Sequence, residues 1–402
     1  MGALLSSRLA RVGSVCVWGV SVVVLVLGAL HKAHRAHGND FTMYLDAAQA
    51  LIAGQNPYAI GGTLPYMYPL FLAAVLGPLT AMPRDVAIVA WFLVSAASLV
   101  VAAWVAVGLA QERRIVRPGV SLTVPLVALW FLLFDPIQNN LLNGQVNFQI
   151  LLLCMLCLRA SLGRRTVGSA VSLAAAIAVK LTPALLLGFL GIRRRWAAIV
   201  LCLGLSAVFV LAPVAFPGAQ GGQAYRTYLH SILLPRLHSE YPAHRGVRFS
   251  VNGALGALVP GWDQALWRRA VGASLPLLGL AVVEILSRRR RAAGQEIWVF
   301  CLYLLAQPLV TPLSEVHHLV YAFPAAGLLA LRSLPGGSGP RARLRPVGLA
   351  AAWLLLVGGW IDRDGPYFFL ALCLIGALVA AEALTSSAPR TTEGRGPLSA
   401  RS

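Results

Sequence analysis

Long apolar runs alternate with short polar segments along most of this chain. A helix that crosses a bilayer needs ~20 apolar residues, fewer when neighbouring helices bury it. On that rule the pattern predicts spans at 12–30, 85–109, 120–134, 146–159, 196–216, 264–286, 297–310, 319–334, 347–361 and 367–384. The fold class is an all-α polytopic membrane protein. Residues 68–82 are apolar but short and carry Pro69, Gly77 and Pro78, so they read as a pair of interfacial or re-entrant helices. Residues 167–192 are apolar, bounded by arginines at both ends, and interrupted by Lys180 and Pro183. Equal charge at both ends predicts a hairpin of two short helices with Lys180 at its tip. From residue 167 an α-helix would climb ~20 Å to reach it.

Arginine clusters fix the orientation. They fall at 113–117, 164–165, 193–195, 288–291 and 341–345, between apolar runs, as the positive-inside rule expects of cytoplasmic loops. Residues 31–84 and 217–262 then form the two long external loops. All eight histidines fall on the external side, which concentrates titratable groups there. Residues 1–384 read as a single transmembrane domain, and 385–402 as a disordered cytoplasmic tail rich in Ser, Arg, Gly and Pro. The first helix is preceded by Arg8 and Arg11 like a signal peptide. It is followed by His31-Lys32-Ala33 rather than a small-residue cleavage site, so it reads as uncleaved.

Of the 402 residues, 58% are hydrophobic, and the mean hydropathy is +0.74. The net charge of +19 would suit nucleic acid, but its clustering in short loops between apolar runs favours the positive-inside reading, and no recognition fold is visible. The six cysteines lie inside apolar runs, so no disulfide framework is implied. Cys154 and Cys157 form a C-x-x-C without a second Cys/His pair, which reads as packing rather than metal or redox chemistry. No P-loop, zincin helix or Ser-His-Asp elbow occurs, and no soluble nucleotide-binding unit has room to fold.

Carboxylates are scarce, 14 against 33 basic residues, and two of them, Asp40 and Asp46, sit in the first external loop. Asp40 opens an amphipathic helix over 41–53, where it is either a helix cap or a reacting group. Asp46 lies on the polar face, either solvated or substrate-facing. The segment DPIQNNLLNGQVN (135–147) places Asn139, Asn140, Asn143, Gln145 and Asn147 at a helix mouth. Amides donate and accept, so they suit hydroxyl-rich ligands; helix termination at Gly144 explains them equally. A lysine within an apolar run is expensive, and Lys180 reads as functional, with a structural, snorkelling lysine as the alternative. Glu315, His317 and His318 stand at another helix mouth. Adjacent histidines diverge by ~100° on a helix and rarely share one ion, so a phosphate- or hydroxyl-donating imidazole is favoured over a metal site.

The order of these pieces carries a resemblance. DFTMYLDAAQALIAGQNPY, YPLFLAAVLGPL, NGQVN, KLTPALLLGFLGIRRRW, SVNGALGAL and PLSEVHHLVYAFPA follow one another along most of the chain. Together they resemble the integral-membrane glycosyltransferases of the GT-C class. Within it the likeness is to the polyprenyl-phosphate-mannose-dependent α-mannosyltransferases of actinobacterial type and their arabinofuranosyltransferase relatives. The family usually has an aromatic residue before the histidine pair; here Glu315-Val316 stands in that place.

The resemblance implies a GT-C-like bundle of about 10–12 transmembrane helices with interfacial helices in the first external loop. It implies inverting transfer of a hexose from a polyprenyl-phosphate donor to a glycolipid or polysaccharide hydroxyl. The reaction would occur on the extracytoplasmic side of the plasma membrane, without cofactor or metal. Asp40 matches the family's catalytic aspartate by position. Lys180, His318 and Arg248, with Arg226 and Arg245 of the same long loop, would meet the donor phosphate. Asp46, Asn143, Gln145, Asn147 and His317 would hold sugar or acceptor. Two other functions remain open, a transporter or flippase of lipid-linked sugars and a non-catalytic scaffold. A transporter would show inverted repeats and paired broken helices; the sequence shows one broken pair and no repeat.

Overall fold

The computed structural model describes residues 19–35, 38–60, 65–117, 134–215, 221–235, 250–258, 265–288, 294–311, 314–333, 344–362 and 366–385. Among them every regular element is helical. The first apolar helix, α1 (Gly19–Ala33), leads to α2 (Asp40–Ile52) and to α3 (Leu70–Leu76) with its 3-10 extension Gly77–Ala81. Then come α4 (Arg84–Glu112), α5 (Phe134–Asn143), α6 (Asn147–Leu162), α7 (Thr166–Val179), α8 (Leu186–Ile192) and α9 (Trp196–Leu211). The second half holds α10 (Gly221–Thr227), α11 (Val251–Leu258), α12 (Ala265–Arg288), α13 (Gln295–Val310), the 3-10 turn Val316–Ala322, α14 (Phe323–Arg332), α15 (Leu344–Ile361) and α16 (Tyr367–Thr385).

Five described helices are long and apolar enough to cross a membrane, or six if the bent pair α5–α6 is one span. Five shorter apolar helices, α1, α3 and its extension, α7, the piece Thr182–Ile192 and α13, pack among them. The chain is a multi-pass membrane protein. Two of its spans show both kinds of surface. Half of the apolar window of α4 is buried, whereas α9 is mostly outward-facing, with Val200 71% exposed. The predicted span at 120–134 lies almost wholly outside the described residues, as do 12–18, the linker around 335–343 and the tail from 386.

The predicted hairpin takes the expected form. α7 stops at Val179, and Lys180 is extended at φ −152°, ψ 134°. The cause is Pro183, which has no N–H to offer the Val179 carbonyl and whose ring would strike it. A 3-10 turn over Thr182–Leu185 then starts the descent of α8. The amide-rich segment differs from expectation. It forms a helix, α5, which meets α6 at a bend of 112°. Gly144 makes that bend, at φ +64°, and a Cβ there would stand 2.5 Å from the Phe41 Cβ. α6 packs against α4 and α7, and α5 packs against the turn Val316–Ala322. These contacts bring the starts of α2 and α6, the end of α7 and the histidine pair to one end of the bundle.

Candidate active site

Asn39, not Asp40, caps α2. Its side chain accepts from the Thr42 amide, and Thr42 Oγ1 accepts from the Asn39 amide, a closed capping box. Asp40 is thereby relieved of cap duty. It sits in the first turn, half-buried, with its carboxylate turned to Gln145, whose Nε2 donates to Oδ2 at 2.5 Å. Gln145 Oε1 accepts from Tyr44 at 3.2 Å and Tyr68 at 3.3 Å, which fixes the orientation of the amide. Burial pushes the Asp40 carboxyl up to about 6. The Gln145 hydrogen bond opposes that rise, Glu315 adds to it, and Lys32 and Lys180 reduce it. A carboxylate with a value near neutrality can both exist ionised and accept a proton usefully.

Two residues past Gln145, Asn147 opens α6. Its Oδ1 accepts from Lys180 Nζ at 3.1 Å and from Tyr321 at 3.3 Å, and its Nδ2 donates to Asn140 Oδ1 at 3.1 Å. Asn140 in turn donates to the His317 carbonyl at 2.7 Å. Lys180 Nζ also lies 2.7 Å from His318 Nε2 and 5.7 Å from the centre of the Tyr68 ring. The Glu315 amide donates to His318 Nδ1 at 2.9 Å, which holds the ring with Nε2 toward Lys180. Burial and the neighbouring Lys180 hold both histidines well below their ordinary value, so both are neutral. His317 stacks on His318 with ring centres 4.3 Å apart, and its Nδ1 lies 3.5 Å from Glu315 Oε2.

Hydrogen bonds therefore run from Asp40 through Gln145 to Tyr68, whose ring faces Lys180, and from Lys180 on to Asn147 and His318. Together these contacts unite five of the nine residues singled out from the sequence, with His317 joined through its backbone and ring. Asp46 instead pairs with Arg84 at 3.2 Å on a half-exposed surface, and Asn143 donates to Asn139 at 2.8 Å. Arg248 and Arg245 lie outside the described residues, and Arg226 is exposed on α10. Among the described residues no cluster of His, Cys, Asp or Glu could hold a metal. Cys154 and Cys157 are buried packing residues, with Cys157 Sγ 3.4 Å from Ser169 Oγ.

Several members of the network carry no signal in the periodicity. Tyr44 reads as part of an apolar stripe and Tyr68 as the start of an apolar run, yet their hydroxyls hold Gln145. Tyr321 is likewise hidden in an apolar segment. Lys32, at the end of α1, comes close enough to Asp40 and His317 to act on both. A buried tyrosine keeps its hydroxyl only if it finds a partner, so a run of tyrosines at 44, 58, 66 and 68 was the available hint.

A profile of Glycosyltransferase family 87 matches residues 66–312, more than half of the chain. The matched span includes Gln145, Asn147 and Lys180; Asp40 precedes it and His318 follows it. Among curated proteins, the chain is 26% identical over 328 residues to a Mycobacterium tuberculosis "Polyprenol-phosphate-mannose-dependent alpha-(1-2)-phosphatidylinositol mannoside mannosyltransferase", covering 74% of this chain and 71% of the relative. It is 29% identical over 340 residues to a "Polyprenol-phosphate-mannose-dependent alpha-(1-2)-phosphatidylinositol pentamannoside mannosyltransferase" of Mycolicibacterium smegmatis, covering 79% of this chain and 75% of the relative. A Mycobacterium tuberculosis relative of that same description is 26% identical over 306 residues, 73% of this chain and 63% of its own length.

Proposed function

The chain belongs to glycosyltransferase family 87, and we propose that it moves mannose from a polyprenol-phosphate donor to a hydroxyl of a phosphatidylinositol-mannoside-like glycolipid. The names of the three relatives support the donor, the sugar and the acceptor class, and favour mannose over arabinofuranose. The observation that carries the reading is the convergence of Asp40 and the Lys180–His318 pair on Tyr68, whose hydroxyl bonds Gln145 beside Asp40 and whose ring lies 5.7 Å from Lys180 Nζ.

The chemistry assigns different work to its two ends. At one end Asp40 takes the proton of the acceptor hydroxyl as that oxygen attacks the anomeric carbon. At the other, the bond from that carbon to the lipid phosphate breaks on the opposite face, so configuration inverts. The departing phosphate gains charge, and Lys180 Nζ and the His318 imidazole, which converge from two separate elements, are suited to meet it. Gln145 and Asn147, two residues apart in NGQVN, offer amides to sugar hydroxyls between these ends. Asp46 and Asn143 would contact acceptor only at the rim. The arginine-rich loops at the far end of the helices support an extracytoplasmic site in the plasma membrane.

The test is transfer of labelled mannose from polyprenol-phosphate-mannose to phosphatidylinositol mannosides by purified protein. Asp40→Asn is expected to lower kcat by about 10²–10⁴-fold while leaving thermal stability equal or higher, because the neutral amide still accepts from Gln145 and no longer buries a charge. Turnover close to wild type would remove Asp40 as base.

A further inference from the structure

A cavity lies at the opposite end of the same helices from the candidate site. α6 begins at Asn147 in the site and ends at Leu162, and α7 returns from Thr166 to Lys180. Sixteen residues of α6 separate the two ends by about 24 Å. There a cavity of about 500 Å³ opens between α4, α6 and α7. Arg113, Arg159 and Arg165 line it, against a single carboxylate, Glu112, which pairs with Arg159 at 3.5 Å. Ser172 and Gly168 contribute to its wall from α7, and Leu109 and Leu156 give it an apolar side.

Its surroundings place it at headgroup depth. The Arg159 guanidinium lies 5.6 Å from the ring of Trp104, which is 58% exposed on the outer surface of α4. Exposed tryptophans on spanning helices mark the membrane interface. The adjoining turns are built to present charge, since Arg114 and Arg164 both hold φ near +57°, where glycine is the usual choice. Guanidinium groups match phosphate oxygens in pairs, and a basic hollow between helices at the cytoplasmic side suits an anionic headgroup.

We propose that this cavity binds the phosphodiester headgroup of an anionic phospholipid from the leaflet at the arginine end, with Arg113, Arg159 and Arg165 as phosphate ligands and the leucine side receiving the start of an acyl chain. The volume fits a headgroup with its glycerol, within the usual range for small-ligand sites. Glu112 tempers the positive charge by holding Arg159. The proposal is independent of the transfer reaction at the other end.

The experiment titrates the purified full chain in uncharged detergent with phosphatidylglycerol, phosphatidylcholine or inorganic phosphate, read by native mass spectrometry and thermal shift. Wild type should retain and be stabilised by phosphatidylglycerol and not by the other two. The double variant Arg113→Gln, Arg165→Gln should bind it about thirtyfold more weakly, as the loss of two basic residues at a lipid surface predicts. Ser172→Leu, which fills the hollow with every charge kept, should also weaken it. Arg114→Gln with Arg164→Gln removes the same charge from positions that do not line the cavity and should bind nearly as wild type. Equal loss in that control would mean diffuse surface attraction and would overturn the proposal. So would unchanged binding in both cavity variants, or displacement of the lipid by equimolar inorganic phosphate.

Discussion

The two ends of the bundle treat a carboxylate in opposite ways. At the site end, Asp40 is given a neutral partner, the Gln145 amide. At the arginine end, Glu382 is clamped between Arg345 at 2.6 Å and Arg332 at 2.8 Å, joining α14, α15 and α16, and Glu284 is held by Arg193 at 2.7 Å, joining α8 to α12. Direct cationic partners supply counter-charge and lock a carboxylate in position; a neutral amide orients it without neutralising it. These three acids thus divide by their partners, one oriented by an amide and two tied to arginines of neighbouring helices.

The largest effect should come from breaking a clamp. Glu382→Gln leaves two arginines at a buried junction without their counter-charge, and losing one partner of a buried ion pair typically costs about 3–5 kcal/mol. Thermal denaturation should show that loss, while the folded fraction keeps its turnover per molecule. A variant that is stable but inactive would erase the distinction between the two ends.

Next is the cation of the site. Lys180→Met should lower kcat about a hundredfold, the range for losing one preorganised donor to a departing anion. The melting temperature should stay near wild type, because the substitution also removes a charge from a half-buried place. An effect confined to KM would reassign Lys180 to ground-state binding of the donor.

A smaller effect belongs to pH. Asp40 must be ionised to accept a proton, and burial has raised its carboxyl from 3.8 to about 6. Activity should therefore fall about tenfold per unit below pH 6 and level off above it. The contribution of the same group to stability runs the other way. Its folded value is raised, so that contribution is full below the unfolded value and is lost as pH rises through 6. A kcat/KM profile without an acid limb between pH 5 and 7 would mean that another group is the base.

The sequence exposed the two ends unequally. Apolar run lengths and arginine clusters were enough to place α4, α9, α12, α15 and α16, because burial in lipid demands long uninterrupted runs and charge marks the loops. Lys180 stood out because a cation in an apolar run has few inexpensive explanations, and Pro183 showed where the helix must stop. The helical state of residues 134–143 was not legible, since four amides resemble a loop until Asn140 and Asn147 are seen bonding across the bend. The N-cap of α2 was misassigned by one residue, because Asn39 and Asp40 are both good caps and only Thr42 decides between them. Tyr44 and Tyr68 stayed hidden because a tyrosine serves an apolar stripe and a hydrogen bond with different atoms. The partners of Glu382 and Glu284 lie far away in sequence, 37 and 91 residues for the closest bonds, beyond any local pattern.

The smallest effect sharpens a second contrast between the ends. Both use left-handed residues to end helices, but Gly144 serves at the site and Arg114, Arg164 and Arg194 serve at the far end. Packing explains the glycine, since a Cβ at Gly144 would overlap Phe41. The arginine turns are open, and each closes the expected 6→1 bond, as in Arg165 N–H to the Ala160 carbonyl at 2.8 Å. Nothing steric there requires a side chain, so charge is what the strain is exchanged for. Arg164→Gly should relieve that strain and, after the greater flexibility of unfolded glycine is deducted, raise stability by about 0.5–1 kcal/mol. Thermal melts in uncharged detergent would register this as a small rise. A fall would show that the Arg164 guanidinium makes a stabilising contact larger than the strain, and the charge would then be structural at this turn rather than a display toward the membrane.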